Sequence, residues 1–191
     1  MGALMKRLVF LAIAIACTLP PTGVAGVRAS GVGRRSLQSA TANAPDIRVV
    51  DLKGLQDAIA RNRGKALLVN FWAIWCEPCV AELPEFLATG REYRDRNAVV
   101  LTVSYDLMIP DVTRDGVLKQ MRAFVEARKI DAPVLIYDAP DYDAINERLG
   151  LPGPVPVTIA IDATGRIVDR HTGQATRQQF QDMMKKALGE Q

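Results

Sequence analysis

Cysteine and histidine are scarce in this chain, with three of one and one of the other in 191 residues. So few cysteines rule out the dense disulfide framework of small secreted scaffolds. A zinc site takes about four ligands, usually two cysteine pairs or one pair with added histidines. One close pair and the lone His171 fall short of that. Membrane-length apolar runs are missing as well. The uncharged run Leu8–Leu19 (LVFLAIAIACTL) has 12 residues, against about 20 for a helix that spans a bilayer. Net charge is small, formally +3, and Lys6, Arg7 and Arg28 account for all of it. From residue 30 onward the chain is neutral overall. No basic field remains for nucleic acid, so no nucleic-acid partner is expected.

What is present at the N-terminus has the layout of a leader. A basic start and a short apolar core are followed by small residues at VAG (24–26) and VRA (27–29). Residues 1–29 are therefore expected to be a secretory signal peptide or an N-terminal anchor. Cys17 raises the question of lipidation, against the plainer reading of a small apolar residue in a discarded signal. Residues 30–45 (SGVGRRSLQSATANAP) have no apolar period and are expected to form a flexible linker. Residues 46–191 then make one domain, and a 49% apolar composition is enough for a single core.

Within that domain the patterns alternate. IRVV (47–50) reads as a strand and LKGLQDAIARNRG (52–64) as a helix stopped by glycine. KALLVNFWA (65–73) is a continuous apolar run suited to a strand buried on both faces. Residues 77–96 read as a helix kinked at Pro84 with Val80, Leu83, Phe86 and Leu87 inward, and 97–106 as the next strand. A helix over 115–130 is expected to turn Leu118, Met121, Phe124 and Val125 inward. An extended piece follows at 132–138, then a short helix at 141–150. Two strands joined by the DATG turn (162–165) and a helix capped by Thr176 close the chain. The order predicts an α/β fold with a mixed central β-sheet flanked by helices.

The strongest local signal is FWAIWCEPCVAELP (71–84), with two residues between Cys76 and Cys79. Cys76 follows the buried strand and opens a helix. Unpaired N–H groups and the positive end of the helix dipole stabilise a thiolate there and lower the thiol pKa. Only the thiolate attacks disulfides, so Cys76 is expected to be the attacking thiol and Cys79, one turn on, to act second. A structural staple gains little from so short a loop. Redox exchange by a Cys76–Cys79 disulfide is the reading the spacing supports, with no cofactor and no metal. Copper carriage by Cys76, Cys79 and His171 is the alternative from another class. An oxidase working in the opposite direction is a third.

Neighbouring residues supply candidates for the rest of the site. Glu82 falls on the same helical stripe as the two cysteines. It is either a buried carboxylate with a raised pKa that shuttles a proton, or a solvated helix residue as expected of Glu85. Asn70, in the strand leading to the site, cannot act as a base. Pro156 stands directly before a strand, and Val155–Pro156 is a candidate cis peptide. Trp72 is expected in the core and Trp75 at an apolar rim open to a partner. His171 reads as structural or solvent-facing.

These motifs resemble those of the TlpA/ResA-like thioredoxins, extracytoplasmic thiol–disulfide oxidoreductases. W-C-x-P-C-x-x-E-x-P is matched at Trp75, Cys76, Pro78, Cys79, Glu82 and Pro84, and GLPGPVPVTIAIDATGRIVDRHTG (150–173) resembles the later segment that carries the cis-proline. The resemblance implies a thioredoxin fold and a periplasmic or membrane-tethered location. It gives Pro156 the cis-proline role, so that Trp75, Val155 and Pro156 form the expected substrate-binding rim around catalytic Cys76, Cys79 and Glu82. It also implies a reductant of disulfide-bearing protein clients, such as the heme-binding cysteines of apocytochrome c, recharged by a membrane thiol-electron donor. Asn70 stands where thioredoxins of the older type carry a buried aspartate. The connection 104–116 is longer and less regular than the resemblance leads one to expect.

Overall fold

A computed structural model describes residues 46–190. The expected leader, the linker and Cys17 lie outside the described residues. Among the described residues, six strands form one sheet in the order β1-β4-β3-β2-β5-β6. They are β1 (Ile47–Val50), β2 (Ala66–Trp72), β3 (Ala98–Ser104), β4 (Val134–Tyr137), β5 (Val157–Ile161) and β6 (Ile167–Thr172). The first four in that order run parallel to one another, whereas β5 is antiparallel to both β2 and β6. The sheet is therefore mixed. Its middle strand β2 is buried along its whole length, which is why ALLVNFW carries no solvent-facing alternation.

The described residues also form five α-helices, which pack on this sheet: α1 (Leu52–Ala60), α2 (Glu77–Glu92), α3 (Arg114–Arg128), α4 (Asp143–Leu149) and α5 (Arg177–Leu188). Phe86 of α2 meets Phe180 of α5 edge to face at 5.3 Å, and Phe124 of α3 lies 5.5 Å from Trp72. Tyr142, leading into α4, packs on Tyr137. Thr176 caps α5 with a reciprocal capping box to Gln179, a feature worth about 1 kcal/mol.

Several boundaries differ from the sequence expectation for local reasons. The first helix ends at Ala60 rather than at Gly64, which instead takes φ 87° in the turn that follows. The second ends at Glu92; a 3₁₀ turn (Arg94–Arg96) and left-handed Asn97 complete the link to β3. α2 continues through Pro84, which is exposed. On α3, Val117 joins Met121 and Val125 in the core, while Leu118 and Phe124 are only half-buried. Val80 is also half-buried. β3 stops at Ser104 because Tyr105 and Asp106 bend into a 3₁₀ turn, Asp106–Met108.

Candidate active site

β2 delivers the chain to the site. Past Trp72 the segment Ala73–Trp75 turns, and Cys76 takes the N-cap position of α2 with extended backbone (φ −92°, ψ 98°). Its Sγ accepts the Cys79 N–H at 3.3 Å, so the cap residue satisfies one of the helix's orphan donors with sulfur. Pro78 occupies the first turn, where no N–H is needed. Cys76 and Cys79 form a disulfide with a Cα–Cα separation of 5.3 Å. Cys79 is fully buried and Cys76 retains 6% exposure. Trp75, immediately before them, is 51% exposed, and Trp72 is in the core, both as the sequence suggests.

Glu82 lies one turn beyond Cys79 and is 1% exposed, so the solvated reading is overturned; Glu85 is the exposed one. Oε1 of Glu82 accepts from Asn70 Nδ2 at 2.7 Å and Oε2 from the Ala175 N–H at 2.7 Å. Burial pushes its pKa up from 4.5, while the hydrogen bonds from Ala175 and Asn70 and the charge of His171 act to lower it. Neither oxygen is engaged with sulfur, so each keeps a lone pair for another proton donor. Asn70 is fully buried, its Nδ2 also donates to Thr158 Oγ1 at 2.9 Å, and its Oδ1 has no partner among the described residues.

The Val155–Pro156 peptide is cis. Register explains its place. Val157 pairs with Phe71, so Pro156 runs alongside the end of β2 from which Cys76 springs. The Pro156 carbonyl accepts from the Gly173 N–H at 2.9 Å, tying the loop to the far end of β6. Pro156 is buried and Val155 half-buried. His171, also half-buried, has Nε2 3.4 Å from the Gln174 carbonyl oxygen. Among the described residues, Cys76, Cys79 and His171 do not form a cluster of metal-ligating geometry.

One buried acid at the site went unread in the sequence. Asp106 is 4% exposed and receives the Ile74 N–H on both oxygens, at 3.0 and 3.2 Å. Ser104 Oγ donates to it at 2.5 Å, and the Asp106 N–H returns to Ser104 Oγ at 3.1 Å. It thereby fastens the turn that precedes Trp75 and Cys76. Burial raises its pKa from 3.8, opposed by the bonds from Ser104 and Ile74. The irregular stretch after β3 was the available signal, and Ser104-Tyr105-Asp106 is where it lay. Thr158 was legible as the polar residue inside the apolar strand VTIAI. The Ala175 N–H, a backbone group brought in by the fold, had no sequence signal.

Chemically, the arrangement pairs two sulfurs at a helix N-terminus with a buried carboxylate one turn below. Reduction would leave a Cys76 thiolate at the positive end of the helix dipole with the Cys79 N–H aimed at it, and both favour the thiolate.

Residues 40–170 match the family model described as the AhpC/TSA family. The thioredoxin-like protein YneN of Bacillus subtilis is 32% identical over 141 residues, 74% of this chain and 76% of that one. The thiol-disulfide oxidoreductase ResA of Bacillus anthracis is 28% identical over 143 residues, 75% of each chain. A solved thiol:disulfide interchange protein of the thioredoxin family from Chlorobium tepidum superposes with a TM-score of 0.56 at 26% identity, over 68% of this chain and 84% of its own. The chain belongs to the AhpC/TSA family, as a ResA-like thiol–disulfide oxidoreductase with the thioredoxin fold.

Proposed function

We propose that this thiol–disulfide oxidoreductase works as a reductant of disulfides in extracytoplasmic protein clients. The heme-binding cysteines of apocytochrome c are the client class suggested by the family resemblance. Residues 1–29 serve as signal or anchor, 30–45 as linker and 46–191 as the working domain. The observation that carries the reading is a disulfide at the N-cap of α2, its outer cysteine keeping 6% exposure and its inner one fully buried, one helical turn before buried Glu82.

In the reduced protein the Cys76 thiolate attacks a client disulfide. The client S–S bond breaks, a Cys76–client bond forms, and the first client sulfur leaves and takes up a proton. Glu82 accepts the Cys79 proton, and Cys79 attacks Cys76 Sγ. The Cys76–Cys79 bond forms, and the second client sulfur leaves and is protonated. Two electrons pass to the client, and a membrane thiol-electron donor returns them. The raised pKa of Glu82 suits a base that must take a thiol proton and give it up again. Asn70 suits both states of that acid. Its Nδ2 serves the carboxylate, and its unpartnered Oδ1 is the acceptor that a protonated Glu82 needs once the amide turns. Trp75, Val155 and Pro156 receive the client chain at the rim.

The test is the reduction potential of the Cys76–Cys79 couple, by equilibration with dithiothreitol or glutathione. A reductant is expected near about −270 mV, whereas a value near about −120 mV would reverse the direction and make the protein an oxidase.

A further inference from the structure

One peptide unit at the site is held at both ends. The Ala175 N–H donates to Glu82 Oε2 at 2.7 Å. The carbonyl of that same peptide, Gln174 O, lies 3.4 Å from His171 Nε2. A carbonyl oxygen can only accept, so this contact calls for a hydrogen on Nε2. A donor at the oxygen polarises the amide and strengthens its N–H as a donor, as in any chain of hydrogen bonds.

The sheet builds this arrangement. Asn70 pairs with Thr158 across β2 and β5, and Thr158 pairs with His171 across β5 and β6. Residues directly opposite one another share a face. Asn70, Thr158 and His171 thus form a row beneath Glu82 that runs to the outermost strand, where His171 is half-buried. Asn70 and Thr158 are neutral. α5 contributes buried Phe180, Met183 and Met184 to the core, and Arg177 at its start is paired with Glu85 and Glu92. On β6, Asp169 is paired with Lys186, and Arg170 donates to the Leu149 carbonyl. His171 is the ionisable side chain whose charge reaches Glu82.

We propose that His171 is a positioning residue, which holds the Gln174 carbonyl so that the Ala175 N–H stays fixed on Glu82. Its charge favours the Glu82 carboxylate over the acid, against the burial that favours the acid. The grip is geometric: Nε2 meets the carbonyl oxygen at one end of the peptide unit, and Glu82 Oε2 takes its N–H at the other. Its catalytic meaning rests on Glu82 being the proton acceptor; the coupling itself does not.

The experiment follows the Glu82 carboxyl carbon by ¹³C NMR across pH in the oxidised full chain, with the Glu82→Gln spectrum for assignment. His171→Leu removes both the donor and the charge, and His171→Gln keeps a donor alone. The Glu82 midpoint is expected to rise by about half a pH unit or more in His171→Leu, and by less in His171→Gln. An unchanged midpoint in both variants, even with a lower melting temperature, would overturn the proposal, because a merely structural histidine would behave so. Turnover is then profiled against pH in the reduced proteins. If the Glu82 midpoint moves while the turnover profile does not, the positioning role stands and the reading of Glu82 as the proton acceptor fails.

Discussion

Two buried carboxylates are tied to the segment that carries the disulfide, and they are built differently. Asp106 closes a compact clasp. Both of its oxygens take the Ile74 N–H, Ser104 donates to it, and its own N–H returns to Ser104. Glu82 is held from two distant parts of the chain, by Asn70 on β2 and by the Ala175 N–H beyond β6, next to an amide oxygen with no partner. Burial raises the pKa of both. Glu82 adjoins an amide whose oxygen is still unpartnered among the described residues, whereas both oxygens of Asp106 are already tied into one turn. The lesson is that a raised pKa does not assign a role. The surrounding hydrogen bonds decide whether a buried acid fastens a turn or handles a proton.

The disulfide itself gives the largest effect. Cys76→Ser is expected to abolish turnover of a disulfide substrate, and Cys79→Ser to accumulate a mixed disulfide visible on a non-reducing gel. Equal trapping by both variants would break the assignment of outer and inner roles, and with it the place of Glu82 under the resolving sulfur. Next, the two acids should separate cleanly. Glu82→Gln is expected to lower turnover about 100-fold or more while leaving urea stability nearly unchanged at neutral pH. Asp106→Ala should do the reverse. It leaves the half-buried Ile74 N–H without its partner and costs about 1–3 kcal/mol in a urea melt. If Asp106→Ala lowers turnover more than stability, the clasp is catalytic and the comparison fails.

The pH dependence of stability is a smaller effect that sharpens the same contrast. A carboxyl whose folded pKa lies above its unfolded value favours folding when protonated. For Glu82 that contribution is complete below about pH 4.5 and is lost as pH rises through the raised folded pKa. Urea melts of the oxidised wild type should therefore show stability falling with pH over that interval, by at most about 1.4 kcal/mol per pH unit for one proton. Glu82→Gln should flatten the fall and leave a residue due to Asp106, which has the same sign and starts from 3.8. A profile identical to wild type would mean that Glu82 does not titrate in the fold. Smallest of all, Trp75→Ala is expected to raise KM for a protein client several-fold. Because Trp75 is 51% exposed, the change should shift stability by no more than about 0.5 kcal/mol.

Much of this was readable in the chain. The buried strand ALLVNFW, the cysteine pair at a helix start and the Thr176 cap are local features, and local patterns carry them. The DATG turn and the alternation of elements gave the mixed sheet in the same way. Glu82 was legible as a candidate but not as a choice, because helical spacing places a side chain on a stripe without saying what covers it. Asp106 was missed because its partners are the N–H of Ile74 and the hydroxyl of Ser104, and only the folded turn makes them neighbours.

The sequence by itself determined the redox pair, its position at the head of a helix and the order of strands and helices. These follow from spacing, periodicity and capping over a few residues. Tertiary structure alone decided that Glu82 is buried, that Asn70 and a backbone N–H hold it from positions 12 and 93 residues away, and that His171 stands behind that N–H. Burial is a property of what packs above a residue, and the pKa of a carboxylate depends on water it no longer sees. No run of neighbouring residues contains that information.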